Sequence, residues 1–169
     1  MGITNLFPDK YVSSAYDIDY TGLYESGYRG IIYDIDNTLV EHNAPGDEKA
    51  AALVARLHTI GFKVMVLSNN KEPRVKSFAE ACGMDSYVYK GNKPAKSGYV
   101  RAMEQMGCTA DNTLFVGDQI FTDIWGAKRL GILSYMTEPV RKWHEEPQII
   151  LKRIIEMPIL FLYRLFRHN

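Results

Sequence analysis

Cysteine is scarce in this chain: Cys82 and Cys108 are the only two among 169 residues, and neither belongs to a CxxC pair or stands near a set of zinc ligands. That excludes a disulfide framework or a structural zinc centre as the organising device, and the two thiols read as reduced core residues of a cytoplasmic protein. A charge excess of either sign is also missing, since 20 Lys and Arg balance 20 Asp and Glu. A surface built to wrap nucleic acid would carry a clear basic excess, so no nucleic-acid partner is expected. No uninterrupted apolar run reaches the ~18–20 residues that a membrane-spanning helix needs. The opening MGITNLFPDKYVSS has neither the basic n-region nor the apolar h-region of a signal peptide, so the chain is expected not to cross a membrane. Internal repeats and low-complexity linkers are lacking too. The length leaves no room for a second full domain beside the core that 46% hydrophobic residues can build.

What the chain does contain is a regular alternation. From Gly30 onward, short runs rich in β-branched residues alternate with amphipathic stretches that end at glycine, the mark of βαβ units and a parallel sheet. The fold class is therefore α/β. Strands are expected at 30–35, 63–68, 87–90, 113–116 and 132–135, and helices at 47–60, 72–81, 97–106 and 122–130. Gly61, Gly83, Gly107 and Gly131 each stand where a left-handed helix C-cap belongs. Residues 1–29 fall outside the alternation and carry Phe7, Tyr11, Tyr16, Tyr20, Tyr24 and Tyr28. Their spacing near four suggests one helical face, packed as an N-terminal arm on a core that spans 30–140.

The chemistry gathers where the strands end. The first strand runs straight into Asp34-Ile35-Asp36-Asn37-Thr38, placing two aspartates at the C-terminal edge of a buried parallel sheet, where ligands of such sheets bind. Residues two apart on a strand point the same way. Transfer of a phosphoryl group through an aspartyl phosphate needs one carboxylate as nucleophile and a second as acid and then base, and Asp34 and Asp36 match those roles. A calcium loop starting at Asp34 would need Gly and Glu where Leu39 and Pro45 stand, which excludes that alternative. Further along, Leu67-Ser68-Asn69-Asn70 offers a hydroxyl and free amides at a helix start for phosphate oxygens. Gly91-Asn92-Lys93-Pro94 offers a cation to neutralise phosphate and nucleophile. Gly117-Asp118 and Asp123 add two carboxylates five apart at the edge of the same cleft, oxygen ligands of the kind Mg²⁺ takes. Arg74 and Lys96, just past two of these motifs, are candidates for reading the substrate beyond its phosphate, with solvated surface charge the reading set above it.

The order DxDxT, Ser, Lys-Pro, GDxxxxD resembles the haloacid dehalogenase superfamily. DIDNTL, LSNN and GDQIFTDIWGA resemble its subfamily IIIA phosphatases of YqeG type, relatives of the phosphatidylglycerophosphate phosphatases; the likeness covers about 7–140. It implies a three-layer Rossmannoid fold and a Mg²⁺-dependent phosphatase. By that resemblance Asp34 is the nucleophile, and Asp36 is the acid/base and, through its main-chain carbonyl, a metal ligand. Thr38 holds Asp36 in place, and Ser68 with the Asn69 amide binds phosphate. Lys93 secures the phosphoryl group, Asp118 ligates Mg²⁺ and Asp123 supports it.

Relatives acting on small metabolites usually cover the site with an inserted cap. Here Thr38 to Ser68 is 30 residues, spent on a flap at 40–45, one helix and one strand, and Ser68 to Lys93 is 25, spent on one helix and one strand. The protein is expected to be capless, with an open site suited to a substrate with a large remainder. The tail at 149–166 holds 13 apolar and four charged residues, with Lys152, Arg153, Glu156, Arg164 and then Arg167 falling near one side of a helix. Across 141–169 the excess is 6 − 3 = +3. A basic amphipathic tail of this kind suits a bilayer interface with anionic lipids, although Pro158 is expected to kink or break it. Docking on the sheet, or in a homo-oligomer interface, is the alternative. The leading expectation is a peripheral enzyme on the inner face of the cell membrane, converting phosphatidylglycerophosphate, an anionic phospholipid, to phosphatidylglycerol. A phosphatase of a soluble ester or phosphoprotein, and a non-catalytic anion-binding module, stand as alternatives.

Overall fold

The structure is a computed structural model and describes residues 3–141 and 147–167. Six parallel strands, β1 (Lys10–Val12), β2 (Gly30–Tyr33), β3 (Lys63–Leu67), β4 (Ser86–Val88), β5 (Thr113–Gly117) and β6 (Leu133–Thr137), lie in the order β1-β6-β5-β2-β3-β4. The pleat sorts their side chains into two cores. Ile31, Tyr33, Val64, Val66, Leu114 and Val116 face one side. There they meet Leu53, Val54 and Leu57 of α2 (Glu48–Ile60) and Val75 and Phe78 of α3 (Glu72–Cys82). Ile32, Met65, Leu67 and Phe115 face the other, against Tyr99, Ala102 and Met103 of α4 (Lys96–Met106) and Ala127 of α5 (Trp125–Lys128). Strands buried on both faces read as continuous apolar runs, which is why the sequence displays them clearly. The result is the three-layer α/β fold.

Several boundaries differ from the sequence expectation for local reasons. The strand expected to reach residue 35 stops at Tyr33, because the Ile35 carbonyl accepts from the amides of Thr38 and Leu39 and so closes a turn with Asn37 at φ 60°. The helix expected at 122–130 begins earlier, as a π-turn at Ile120–Ile124, before α5. The N-terminal aromatics do not share one helical face. Tyr11 lies on β1, Tyr16 on a 3₁₀ turn (Ala15–Asp17), and Tyr20 and Tyr24 on a short helix, α1 (Tyr20–Glu25). Tyr20 is fully buried, donates to the Ala15 carbonyl at 2.6 Å and accepts from Tyr33 at 2.5 Å. β1 owes its place to tertiary pairing: it adds to the sheet edge beside β6, with the Asp9 carboxylate accepting from the amide and hydroxyl of Ser134.

The C-terminal segment forms one helix, α6 (Pro147–Arg167), which runs on through Pro158. Pro158 is exposed, and its ring removes one helical hydrogen bond and crowds the carbonyl four residues back without ending the helix. Among the described residues no helix is long and apolar enough to cross a membrane. The charged residues expected near one side of α6 do not share one environment: Lys152 and Arg164 are exposed. Arg153 and Glu156 turn inward to the sheet edge, while Leu151, Ile154, Ile155, Phe161 and Leu165 stay at least half exposed. Lys142, Glu145, Glu146 and the Arg167 side chain, which enter the charge count of the tail, lie outside the described residues.

Candidate active site

β2 and β5 are neighbours in the middle of the sheet, in a register that sets Tyr33 beside Val116, so their C-terminal ends deliver Asp34 and Asp118 together. The π-turn then folds the chain back so that Asp123 approaches the same spot. Its carboxylate accepts from the amides of Asp118 at 3.2 Å and Gln119 at 3.1 Å. Only glycine fits at 117: an added Cβ would lie 2.5 Å from the Asp123 carboxylate. Tyr99 fixes the turn from the helix layer, its hydroxyl donating to the Thr122 carbonyl at 2.5 Å.

Lys93 is the hub of the cluster. Its ammonium donates to Asp34 at 2.6 Å and to Asp123 at 2.7 Å, with all three side chains buried. Asn69 holds the loop that carries it, accepting from the Lys93 amide at 2.6 Å and donating to its carbonyl at 3.1 Å. Burial pushes the Asp34 carboxyl well above the ordinary carboxylate range; the Lys93 charge opposes that shift, and Asp123 and Asp118 reinforce it. For Lys93, burial disfavours the charge, yet Asp123 and Asp34 outweigh it and hold the ammonium protonated.

Asp36 lies on the other side of the cleft. Its carboxylate accepts from the Asn70 side chain at 2.7 Å, the Asn43 amide at 2.8 Å and Arg74 at 3.0 Å. Arg74 is thus a half-buried partner of a site residue rather than a solvated surface charge, whereas Lys96 is exposed. Thr38 departs from its expected role as well. Its hydroxyl donates to Asp118 at 3.3 Å, because the turn at Asn37 carries it away from Asp36 and over β5. Ser68 is buried just past the end of β3, and its hydroxyl accepts from the Asn70 amide at 3.1 Å in the turn before α3.

Carboxylate oxygens of Asp34, Asp118 and Asp123 lie within 4.8 Å of one another. Three carboxylates against the two cations Lys93 and Arg153 leave a formal charge of 2 − 3 = −1 in a buried place. An excess of hard oxygen donors at negative charge fits a small divalent cation such as Mg²⁺. Asp123 accepts from Lys93 and two amides, Asp118 from Thr38 and Arg153, and Asp34 from Lys93, so a cation bound here would share these carboxylates with donors of the protein itself. The Asp36 carboxylate stays outside this group.

Sequence reasoning missed what α6 contributes. Arg153 donates to the Asp118 carboxylate at 2.5 Å, and Glu156 accepts from the amides of Ile120 at 2.7 Å and Phe121 at 3.2 Å, the first residues of the π-turn. Ile149 and Lys152 line the cleft of about 220 Å³ that also holds Asp34, Asp36, Ser68 and Lys93. Among the described residues no insertion covers the cleft, since the 38–68 and 68–93 segments are spent on the flap, α2, β3, α3 and β4. One wall of the cleft is therefore built by the C-terminal helix. Charged residues spaced three apart in an apolar helix, as Arg153 and Glu156 are, were the available signal.

Comparison with known proteins identifies the family. Residues 40–131 match the family of haloacid dehalogenase-like hydrolases. "Probable phosphatase YqeG" of Bacillus subtilis is 35% identical over 134 residues, covering 79% of this chain and 77% of that protein. The "Phosphatidylglycerophosphate phosphatase 1, chloroplastic/mitochondrial" of Arabidopsis thaliana is 29% identical over 161 residues, covering 85% of this chain and 44% of that longer protein. Among solved structures, an uncharacterized protein from Listeria monocytogenes shares the fold at a TM-score of 0.53 and 16% identity, over 80% of this chain and 98% of its own.

Proposed function

The chain belongs to the haloacid dehalogenase-like hydrolases and is a phosphatase, and on that footing we propose that it works through an aspartyl phosphate on Asp34 with Mg²⁺ bound, on a phospholipid monoester. The observation that carries the mechanism is the Lys93 ammonium held between Asp34 and Asp123 at the strand ends. A carboxylate nucleophile must approach an anionic phosphoryl group, and a cation already in contact with Asp34 lowers that repulsion where little water intervenes.

In the first half-reaction an Asp34 oxygen bonds to phosphorus while the ester P–O bond breaks, and Asp36 gives its proton to the leaving oxygen. In the second, Asp36 takes a proton from a water whose oxygen attacks phosphorus, the bond to Asp34 breaks, and inorganic phosphate leaves. Both residues end as they began. Ser68 and the Asn69 amide bind the phosphoryl oxygens meanwhile. Asp34 and Asp118, with the Asp36 carbonyl, would hold Mg²⁺, which would supply charge neutralisation for those oxygens.

Two features support a phospholipid. The cleft lacks a cap, and α6, which forms one wall, presents apolar side chains outward with Lys152 and Arg164 exposed at the margins, a pattern suited to an anionic bilayer surface. The similarity to a phosphatidylglycerophosphate phosphatase makes that lipid the first substrate to try. The test is phosphate release from a panel that includes phosphatidylglycerophosphate in mixed micelles, sugar phosphates, a phosphopeptide and p-nitrophenyl phosphate, each with Mg²⁺ or with EDTA. The lipid should exceed every soluble ester at least tenfold in kcat/KM, and EDTA should abolish all turnover. A soluble ester at parity removes the lipid assignment, and activity that survives EDTA removes the metal.

A further inference from the structure

Each carboxylate of the strand-end cluster has a cationic partner, but the two cations are held in different ways. Lys93 stands on a loop that Asn69 clamps through its amide and its carbonyl, and its ammonium bridges Asp34 and Asp123, so it cannot leave one carboxylate without straining the other contact. Arg153 reaches the cluster from α6 and meets it at Asp118. One guanidinium nitrogen donates to the carboxylate at 2.5 Å, and the other lies 3.5 Å from the Asp118 carbonyl. The Asp118 side chain is fully buried and the Arg153 side chain nearly so, and little water screens the pair. Beside it lies a cavity of about 370 Å³ that both residues line together with Glu156 and Arg164. The guanidinium thus has room to leave Asp118, and a second carboxylate, three residues along the same helix, stands in that cavity to receive it.

We propose that Arg153 sets how tightly the site holds its divalent cation, by competing with it for Asp118, so that cation binding and the docking of α6 oppose each other. A cation on Asp34 and Asp118 draws on the same buried negative charge that holds the guanidinium. Lys93, Arg153 and the three carboxylates sum to 2 − 3 = −1, which a dication turns to +1; without Arg153 the sum is 1 − 3 = −2, which a dication brings to zero. Burial favours the neutral sum and penalises two cations that meet at one carboxylate. Removing the guanidinium charge should therefore tighten cation binding, whereas an arginine that merely oriented Asp118 for the ion would, once removed, loosen it. The coupling is reciprocal: the factor that docked Arg153 takes from cation affinity is the factor that the cation takes from docking. Glu156 still holds the amides of Ile120 and Phe121, so α6 loosens without leaving. The proposal rests on the divalent-cation reading of the cluster and is independent of the substrate.

The experiment measures Mg²⁺ binding by titration calorimetry at fixed ionic strength, and hydrogen exchange of the α6 amides with and without saturating Mg²⁺, both on the full chain. Arg153→Gln should bind Mg²⁺ about fivefold or more tightly than the parent, and Arg164→Gln, which removes a cation of the same helix that does not touch Asp118, should stay within about twofold of it. In the parent, Mg²⁺ should speed exchange across α6 about fivefold or more, and in Arg153→Gln by less than about twofold. Equal or weaker Mg²⁺ binding by folded Arg153→Gln overturns the proposal. So does an equal gain in Arg164→Gln, which would assign the effect to the charge of the whole helix. Parent exchange that Mg²⁺ leaves unchanged or slows also overturns it, and this arm needs no variant if Arg153→Gln does not fold. Mg²⁺ binding by neither the parent nor Arg153→Gln would overturn the metal reading itself, and the proposal with it, whereas binding of equal strength by both overturns the proposal alone.

Discussion

The strand-end cluster and the C-terminal helix are built by opposite rules. At the ends of β2 and β5 the side chains are charged, buried and fixed by main-chain geometry: the register of two central strands and a π-turn bring Asp34, Asp118 and Asp123 within 4.8 Å, with Lys93 between them. On α6 two charged side chains, Arg153 and Glu156, turn to the protein beside Ile159, Leu160 and Tyr163, while Leu151, Ile154, Ile155, Phe161 and Leu165 face outward with Lys152 and Arg164. An ordinary surface helix buries its apolar stripe. The contrast teaches that the cluster is a site by its covalent and sheet geometry, whereas α6 joins it through two side chains, Arg153 and Glu156, and leaves its apolar face for something else.

The largest effect should come from the cluster's centre. Asp34→Asn is expected to lower phosphate release by at least about 10³-fold, since an amide is a far weaker nucleophile, while the melting temperature holds or rises as one of three mutually repelling carboxylates is removed. Steady-state phosphate assays and a thermal melt on the same sample check both halves. Activity near the parent level would break the distinction between cluster and helix at its root. Lys93→Met comes next. It leaves Asp34 and Asp123 buried without their shared cation, a change that typically costs about 3–5 kcal/mol, readable in urea unfolding. Loss of stability should be partly restored by Mg²⁺; a variant as stable as the parent without metal would show that the pair is not the hub of the cluster.

These two regions were unequally legible in the sequence. Asp34, Ser68 and Asp118 follow the ends of strands whose β-branched runs are unmistakable, so the sheet topology predicts their meeting, while Lys93 reaches it from the loop after β4. Thr38 was assigned to the wrong carboxylate because the left-handed turn at Asn37 re-aims it, and no local pattern announces that turn. β1 is three residues long and exists by pairing with β6, so propensity gives no sign of it. For α6 the helical period was readable, but which side faces the protein was not. Burying Arg153 and Glu156 depends on two partners, the Asp118 carboxylate and the π-turn amides, that only the folded sheet edge brings together.

The helix side of the comparison can be sharpened with pH. Burial pushes the Glu156 carboxyl up to about 7; the amides of Phe121 and Ile120 and the Arg153 charge oppose the shift, and Asp123 adds to it. Docked, Glu156 keeps its proton up to about pH 7, and released it would lose it near 4.5. The docked form therefore binds more protons over that interval, so docking is strongest at low pH and weakens as pH rises through about 7, by roughly 1–3 kcal/mol. Hydrogen exchange of the α6 amides between pH 5 and 8, corrected for intrinsic rates, should show that loss in the parent and little of it in Glu156→Gln. A parent with pH-independent protection would show that Glu156 is not held as described. The smallest effect belongs to the outer face. Ile155→Ser with Leu165→Ser should leave the melting temperature unchanged, because both side chains are half exposed, yet reduce binding to anionic vesicles tenfold or more, about 1.4 kcal/mol. Unchanged vesicle binding would leave that face without a bilayer to meet.

The most direct measurement for the whole account is rapid acid quench with a substrate labelled in its phosphoryl group, followed by digestion and identification of the labelled peptide. The label should appear on the peptide that carries Asp34, be released by hydroxylamine as an acyl phosphate is, accumulate in Asp36→Asn and be absent from Asp34→Asn. Full turnover with no labelled protein at any quench time, or a label on a residue other than Asp34, would contradict it.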